Sequence, residues 1–66
     1  MKTFAQILKE KRKQLNLTQK DLAKLAGCTY CTVSYWEKGY TFPNILVAST
    51  LADVLNCTLD ELVGRV

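Results

Sequence analysis

The sequence predicts an all-α protein in which five short helices pack as one compact bundle. Apolar residues recur every three or four positions along most of the chain, which is the spacing of one helix face. No stretch shows the alternation of apolar and polar residues that marks a half-buried strand. Threonine, asparagine and glycine residues stand where the helical stretches would begin and end. Because most of these stretches are too short to be stable alone, we expect them to fold as one packed unit.

The first helix is expected over residues 4–15. Its apolar face consists of Phe4, Ile7, Leu8 and Leu15. Thr3 is the expected N-cap, and Gln6 follows it at the spacing of a capping box. Asn16 tolerates the left-handed backbone conformation with which many helices end.

A second helix is expected over residues 19–26 and a third over residues 30–38. Threonines precede both helices and glycines follow them, as N-caps and C-terminal stops: Thr18, Thr29, Gly27 and Gly39. The inner stripe of the second helix consists of Leu22, Ala23 and Ala26. Val33 and Trp36 of the third helix face inward together. Its outer face then consists of Tyr30, Cys31, Ser34 and Tyr35.

Residues 40–43 form a loop, because the residue before a proline favours extended backbone. A fourth helix is expected over residues 45–55 and a fifth, shorter one over residues 59–63. Their N-caps are Asn44 and Thr58. The inner stripe of the fourth helix consists of Ile45, Ala48, Leu51, Ala52 and Leu55. Gly64 is expected to end the fifth helix.

Charge is distributed unevenly along the chain. Nine Lys and Arg residues against six Asp and Glu residues give a net charge of +3. Residues 1–40 contain eight basic and three acidic residues, whereas residues 41–66 contain one basic and three acidic residues. A basic front half suggests a polyanionic partner, although a solvated charged surface would give the same pattern.

The composition argues against several classes of protein. There is no histidine, no pair of carboxylates with catalytic spacing and no phosphate-binding loop, so we expect no enzyme, cofactor or small-molecule ligand. No apolar run approaches the roughly 20 residues of a membrane span, and residues 1–10 lack the apolar core of a secretory signal. Three cysteines in a chain without such a signal suit a reducing compartment. We therefore expect one cytoplasmic domain over residues 1–66.

Residues 19–38 meet the steric requirements of a helix-turn-helix motif in order. Ala23 is small where the second helix of the motif approaches, Gly27 stands at the turn, and Val33 and Trp36 are apolar on the inner side. A generic helical bundle would satisfy one or two of these requirements. All of them together, in register over 20 residues, predict the motif.

With these features the chain resembles the Cro and phage-repressor type of helix-turn-helix domain, also called the XRE-like family. The resembling segments are residues 17–23, 27–29, 33–39, Pro43 and residues 51–62. The resemblance implies a lambda-repressor-like bundle that binds double-stranded DNA, usually as a dimer, and represses or activates transcription. The alternative is a protein-interaction module, such as an antitoxin or adaptor, that keeps the fold without binding DNA.

The resemblance also implies roles for individual residues. Gln19 resembles a residue that grips a phosphate and braces the recognition helix, while Thr18 and Lys38 resemble positions that contact the DNA backbone. The base-reading positions are occupied by Tyr30, Cys31, Thr32 and Tyr35. With their neighbours, the expected DNA-contacting residues are Thr18, Gln19, Thr29, Tyr30, Cys31, Thr32, Ser34, Tyr35 and Lys38. Arg12 and Glu37 resemble an internal ion pair between the first and third helices.

The outer face of the third helix departs from common DNA readers. It has no Arg, Asn or Gln, the side chains that bind guanine or adenine through two hydrogen bonds. Short side chains and two tyrosines can instead contact thymine methyl groups and form single hydrogen bonds. We therefore expect modest direct readout, with much of the specificity derived from DNA shape.

Cys28 and Cys31 form a C-x-x-C motif at the start of the third helix. Packing alone explains the motif if Cys28 and Cys57 are small residues at the edge of the core. A redox switch is the second interpretation, because a helix N-terminus lowers a thiol pKa. A zinc site with Cys57 as third ligand is the weakest interpretation, because zinc usually requires four ligands and the chain has no histidine.

A homodimer is expected from the size of the chain and from apolar residues near its C-terminus. The residues expected to leave apolar surface there are Val54, Leu59, Val63 and Val66. Dimers of this motif bind two half-sites about one helical turn apart. The DNA target is therefore expected to be an inverted repeat.

Overall fold

Five helices account for the regular structure of residues 2–63, which are the residues that the computed structural model describes. They are α1 (Phe4–Gln14), α2 (Gln19–Ala26), α3 (Tyr30–Lys38), α4 (Ile45–Val54) and α5 (Leu59–Val63). The predicted all-α fold with five helices is confirmed. All five begin at the predicted residue, while α1 and α4 end one residue earlier because Leu15 and Leu55 are their C-caps. The expected stop at Gly64 lies outside the described residues.

The helix starts follow from local hydrogen bonds between residues three apart. The side chains that accept a backbone N–H at these starts are Thr3, Thr18, Thr29, Asn44 and Thr58. At α2 the capping box is complete, since Thr18 Oγ1 accepts from Asp21 N and Asp21 Oδ2 accepts from Thr18 N, both at 3.0 Å. The bond from the Thr18 N–H holds the pKa of Asp21 below its ordinary value. Gly27 and Gly39 end α2 and α3 with φ of 76° and 78°, in the left-handed region.

One core joins all five helices. It consists of Phe4, Ile7, Leu8, Leu22, Ala23, Val33, Trp36, Leu51, Ala52, Leu55 and Leu62. The helix α3 packs against α1 and α2, α4 packs against α2 and α5, and α5 also packs against α1. Because α3 is covered only on its Val33 and Trp36 side, its opposite side is left open. No helix within residues 2–63 has the length and apolar character needed to cross a membrane.

Two residues predicted to lie in the apolar stripes are exposed. Leu15 is 44% exposed and Ile45 is 67% exposed. Both stand at a helix end, one as the C-cap of α1 and the other as the first residue of α4. Helical spacing extends the stripe to these positions, but no neighbouring helix reaches far enough to cover them. Val47 packs against the core at the start of α4 instead.

Candidate nucleic-acid interface

The turn between α2 and α3 brings the two helices into close contact. Cys28 N donates to Ala23 O at 2.9 Å, which closes the turn after Gly27. Ala23 is only 3% exposed, so a larger side chain there would push α3 away. Val33 and Trp36 bury the inner side of α3. This packing fixes the direction in which the outer side of α3 faces.

The residues expected to read bases are accessible on that outer side. Tyr30 and Tyr35 are each 48% exposed. Cys31 is exposed between them in the sequence, while Thr32 and Ser34 are half-buried. The Thr32 hydroxyl lies 3.0 Å from that of Thr29, the α3 N-cap, so part of its hydrogen-bonding capacity is used locally. The face offers phenol, thiol and hydroxyl groups, and Lys38 adds a cation at its C-terminal end.

An ion pair inside the fold ties α3 to α1. Arg12 Nε lies 2.6 Å from Glu37 Oε2, and Arg12 Nη2 lies 3.1 Å from Glu37 Oε1. The two side chains are 11% and 4% exposed. Arg12 Nη1 also donates to Leu17 O at 2.8 Å. Gln19 Nε2 donates to Glu37 Oε1 at 3.1 Å, so the first residue of α2 is joined to the last turn of α3.

An open cleft of about 430 Å³ lies where α2 begins. It is lined by Arg12, Leu17, Thr18, Gln19, Lys20 and Tyr30. The first N–H groups of a helix have no partner within the helix, and its dipole places partial positive charge there. The ammonium group of Lys20 adds a full positive charge, while the Asp21 carboxylate at the same end is bonded to the Thr18 N–H. This end of α2, adjacent to Tyr30 of α3, has the chemistry to bind an anion such as a phosphate.

Part of the positive charge of the front half is neutralised within the fold. Lys2 Nζ lies 2.8 Å from Glu10 Oε2, and Lys11 Nζ lies 3.6 Å from Glu61 Oε2 on α5. Each of these pairs has one member on α1, whereas Lys20 and Lys38 belong to α2 and α3. The excess of lysines in residues 1–40 is therefore a weaker guide to the interface than the positions of Lys20 and Lys38.

The three cysteines are free thiols in different surroundings. Cys28 and Cys57 are half-buried and pack against the core, and burial raises the pKa of both thiols. A raised pKa at Cys28 is the opposite of what the redox interpretation requires. Within residues 2–63, no three Cys, Asp or Glu residues lie close enough together to hold a metal ion, so Cys57 does not complete a ligand set. The packing interpretation fits Cys28 and Cys57, while Cys31 is exposed.

Exposed apolar surface lies only partly where it was expected. Val54 and Leu59 are half-buried, and Val54 packs against the core. Val63 is 39% exposed, and Val66 lies outside the described residues. The largest exposed apolar side chains near the C-terminal half are Phe42, Ile45 and Leu46, at 68%, 67% and 77%. They lie in the loop before α4 and in its first turn, and helical periodicity wrongly placed Ile45 inside.

An apolar cleft of about 270 Å³ adjoins this surface. It is lined by Phe4, Phe42, Pro43, Ala48 and Val63. The rings of Phe4 and Phe42 are 6.0 Å apart between centroids, with planes inclined at 55°. We call Phe42, Ile45, Leu46 and Val63 the apolar patch. Of this patch, only Val63 is predicted from the sequence to leave apolar surface exposed.

The sequence of this chain is similar to those of known helix-turn-helix proteins. The family model described as helix-turn-helix matches residues 8–62. The HTH-type transcriptional regulator AnsR of Bacillus subtilis is 38% identical over 58 residues, which covers 88% of this chain and 50% of AnsR. This chain therefore spans half the length of that relative.

Two solved structures show how the same fold occurs in different proteins. The P22 c2 repressor protein, in complex with a synthetic operator, matches with a TM-score of 0.94 at 27% identity, and the match covers 100% of both chains. Hydroxypropylphosphonic acid epoxidase from S. wedmorenis matches with a TM-score of 0.84 at 33% identity, covering 91% of this chain but 32% of the epoxidase. The family match covers most of the chain, and the α2–turn–α3 geometry agrees with it, so the chain belongs to the helix-turn-helix family.

Proposed function

We propose that this chain binds double-stranded DNA and acts as a small transcriptional regulator, most simply a repressor that occupies its target. The observation that carries the proposal is the one-sided packing of α3. Val33 and Trp36 bury one side of it, while the opposite side faces solvent between the N-terminus of α2 and Lys38. An α-helix with one free face fits the major groove, and its N-terminal residues face the bases.

The relatives support the same role. AnsR is a transcriptional regulator, and the P22 c2 repressor was solved with a synthetic operator. The epoxidase carries the fold on about a third of its chain, so the shared fold does not transfer its activity to this protein.

The proposed contacts divide into positioning and reading. Thr18 and Gln19 at the N-terminus of α2 bind one phosphate, with Lys20 beside them. Thr29 and Lys38, at the two ends of α3, contact the backbone. The residues proposed to face the base edges are Tyr30, Cys31, Thr32, Ser34 and Tyr35. Because Gln19 also bonds to Glu37, a phosphate bound at α2 is coupled to the orientation of α3.

The proposal includes a homodimer that binds two half-sites of an inverted repeat. The apolar patch is the surface that would join the two copies, in place of the Val54 and Leu59 surface expected from the sequence. All four of its residues are exposed, and two of them, Phe42 and Val63, line the apolar cleft. Exposed apolar groups of this size gain free energy when a second copy covers them.

A cytoplasmic location is also part of the proposal. The three cysteines remain free, which is typical of proteins in a reducing compartment.

A fluorescence anisotropy titration on random-sequence duplex DNA at two salt concentrations tests the proposal. We expect binding that weakens steeply with salt, because lysines release counterions from the phosphates. Lys20→Ala should weaken binding and lower the salt slope by about one unit. Lys11→Ala is the matched control, because it removes the same charge from a lysine paired with Glu61 on α5. A folded wild-type protein that binds no DNA at low salt would overturn the proposal and favour a protein-interaction module.

A further inference from the structure

Tyr40 lies just beyond α3, in the segment of residues 40–43 that the sequence predicts to be a loop. Its backbone position is nevertheless fixed. Gly39 takes φ of 78° and donates to Trp36 O at 3.1 Å, and Tyr40 N donates to Tyr35 O at 3.0 Å. This is the hydrogen-bond pattern of a Schellman-type helix end, which sets the direction of the residue after the glycine.

The Tyr40 ring contacts both residues that end the proposed DNA-reading face. Its centroid lies 6.0 Å from that of Tyr35, with the ring planes inclined at 42°. Lys38 Nζ lies 5.8 Å from the centroid of the Tyr40 ring. Both separations are within the range in which aromatic pairs and cation–π pairs attract each other.

The other large aromatic residue of this loop behaves differently. Phe42 is as exposed as Tyr40, at 68% against 71%, but its ring packs against Phe4 of α1. The two aromatic rings of the loop therefore have different partners: Phe42 packs against α1, and Tyr40 packs against the C-terminal end of α3. Tyr40 is not a core residue, and its ring interacts with Tyr35 and Lys38.

We propose that Tyr40 is a positioning residue of the DNA interface, which holds the Lys38 ammonium and the Tyr35 ring together at the C-terminal end of α3. This inference rests on the proposed DNA-binding function. A free lysine or tyrosine side chain loses rotamer freedom when it binds, and a side chain already held in place loses less. Both contacts are with the Tyr40 ring, so its hydroxyl group is not needed for this role.

Affinity measurements on Tyr40 variants test the proposal. Tyr40→Ala should weaken DNA binding about fivefold, as expected when one cation–π contact and one aromatic contact are lost. Tyr40→Phe keeps the ring and should stay within about 1.5-fold of the wild type, because both ring contacts remain. Leu25→Ala is the control, because Leu25 is an exposed apolar residue of α2 outside the proposed contacts. All three variants should melt within about 4 °C of the wild type, because exposed positions contribute little to stability.

A double-mutant comparison shows whether Tyr40 acts through Lys38. In a Lys38→Ala background, Tyr40→Ala should weaken binding by a smaller factor than it does in the wild type. Equal factors in the two backgrounds would overturn this part of the proposal. A Tyr40→Phe protein as weak as Tyr40→Ala would also overturn it, because the hydroxyl group would then contact DNA directly.

An NMR measurement separates failure of this inference from failure of the proposed function. In the free protein, the Lys38 Hε resonances should be shifted upfield by the Tyr40 ring and should return toward ordinary values in Tyr40→Ala. If they are not shifted, the inference fails whatever the DNA result. If they are shifted and the wild type binds DNA, unchanged affinity in Tyr40→Ala overturns the inference alone. If the wild type binds no DNA, both the proposed function and this inference are wrong.

Discussion

Arg12 and Glu37 lie 25 residues apart in sequence and meet in a two-point ion pair that fastens the last turn of α3 to α1. The pair is almost covered by protein, and its remaining polar atoms are used by Leu17 O and the Gln19 side chain. Two charges removed from water in this way are stable only together. The pair therefore fixes α3 relative to the N-terminus of α2 as well as relative to α1.

Removing one member of this pair should cost more stability than removing both. Arg12→Met leaves the Glu37 carboxylate buried without its cation, and we expect a loss of about 3 kcal/mol in the free energy of unfolding. Arg12→Met combined with Glu37→Leu should lose less. Urea denaturation of the wild type and the two variants measures the difference, and a double variant as unstable as Arg12→Met alone would contradict it. Lys2→Ala, which breaks the exposed pair with Glu10, is the control and should cost less than about 1 kcal/mol.

The carboxylate that completes the α2 capping box should make stability depend on acid pH. The Thr18 N–H holds the pKa of Asp21 below its unfolded value of about 3.8. Because the folded pKa is the lower one, this stabilisation is fully present above the unfolded pKa and is lost as pH falls through the folded pKa. Asp21→Ala should therefore destabilise the protein more at pH 6 than at pH 2.5. Urea unfolding of both proteins at the two pH values tests this, and an equal effect at both would contradict it.

Much of the fold could be predicted because its signals are local. Each helix start depends on a side chain that bonds an N–H three residues later, and Thr18 with Asp21 shows this directly. Burial at the helix ends could not be predicted in the same way. Ile45 continues the apolar spacing of α4, yet it is exposed because no neighbouring helix extends past it.

Only part of the candidate site could be predicted from hydrophobic periodicity. The outer face of α3 follows from the inward phase of Val33 and Trp36, so periodicity alone could identify it. The partner of Arg12 came from the family resemblance, since no sequence spacing links residues in α1 and α3. Tyr40 was missed because its place depends on the left-handed backbone of Gly39, a feature that hydrophobic patterns do not record.

Chemical modification of the one exposed thiol should block DNA binding. Cys31 lies at the N-terminal end of the outer face of α3, where a maleimide adduct would stand between the helix and the groove. Cys28 and Cys57 should react more slowly, because burial raises their thiol pKa and lowers the fraction of reactive thiolate. Mass spectrometry after brief treatment with N-ethylmaleimide gives the order of reaction, and a titration of the singly modified protein gives the effect on binding. Cys31→Ser, treated identically, should keep its affinity; loss of binding in that variant would assign the effect to another cysteine.

The apolar patch should govern self-association. Leu46→Glu places a charge at a site that is 77% exposed in the single chain, so the fold should survive while the dimer is weakened. Sedimentation equilibrium should show dimers of the wild type at high micromolar concentration and a shift toward monomers in the variant. Leu25→Glu is the matched control, because Leu25 is 54% exposed on α2, away from the apolar patch. A wild type that stays monomeric with and without DNA would contradict the proposed dimer.

Tyr35 and Lys38 should contribute differently to DNA binding: Tyr35 to sequence preference and Lys38 to affinity for any sequence. Tyr35 offers a ring edge and one hydroxyl, which suit a thymine methyl group and a single hydrogen bond. Lys38 carries a charge at the end of α3, which suits a phosphate and holds no sequence information. Tyr35→Ala should therefore relax sequence preference more than it weakens non-specific binding. Lys38→Ala should weaken all sequences alike and lower the salt slope by about one unit.

Binding-site selection on the wild type and on Tyr35→Ala tests whether Tyr35 contacts bases. We expect the wild type to select half-sites containing T·A pairs, with flanking positions set by DNA shape where no side chain reaches a base. The Tyr35→Ala selection should lose its preference at one or two positions per half-site, because a single side chain on a helix in the major groove reaches about that many base pairs. An unchanged motif in the variant would mean that Tyr35 contacts the phosphate backbone instead. Invariant G·C pairs at those positions would contradict the proposed base contacts, since the base-facing residues Tyr30, Cys31, Thr32, Ser34 and Tyr35 include no Arg or Lys to bind guanine through two hydrogen bonds.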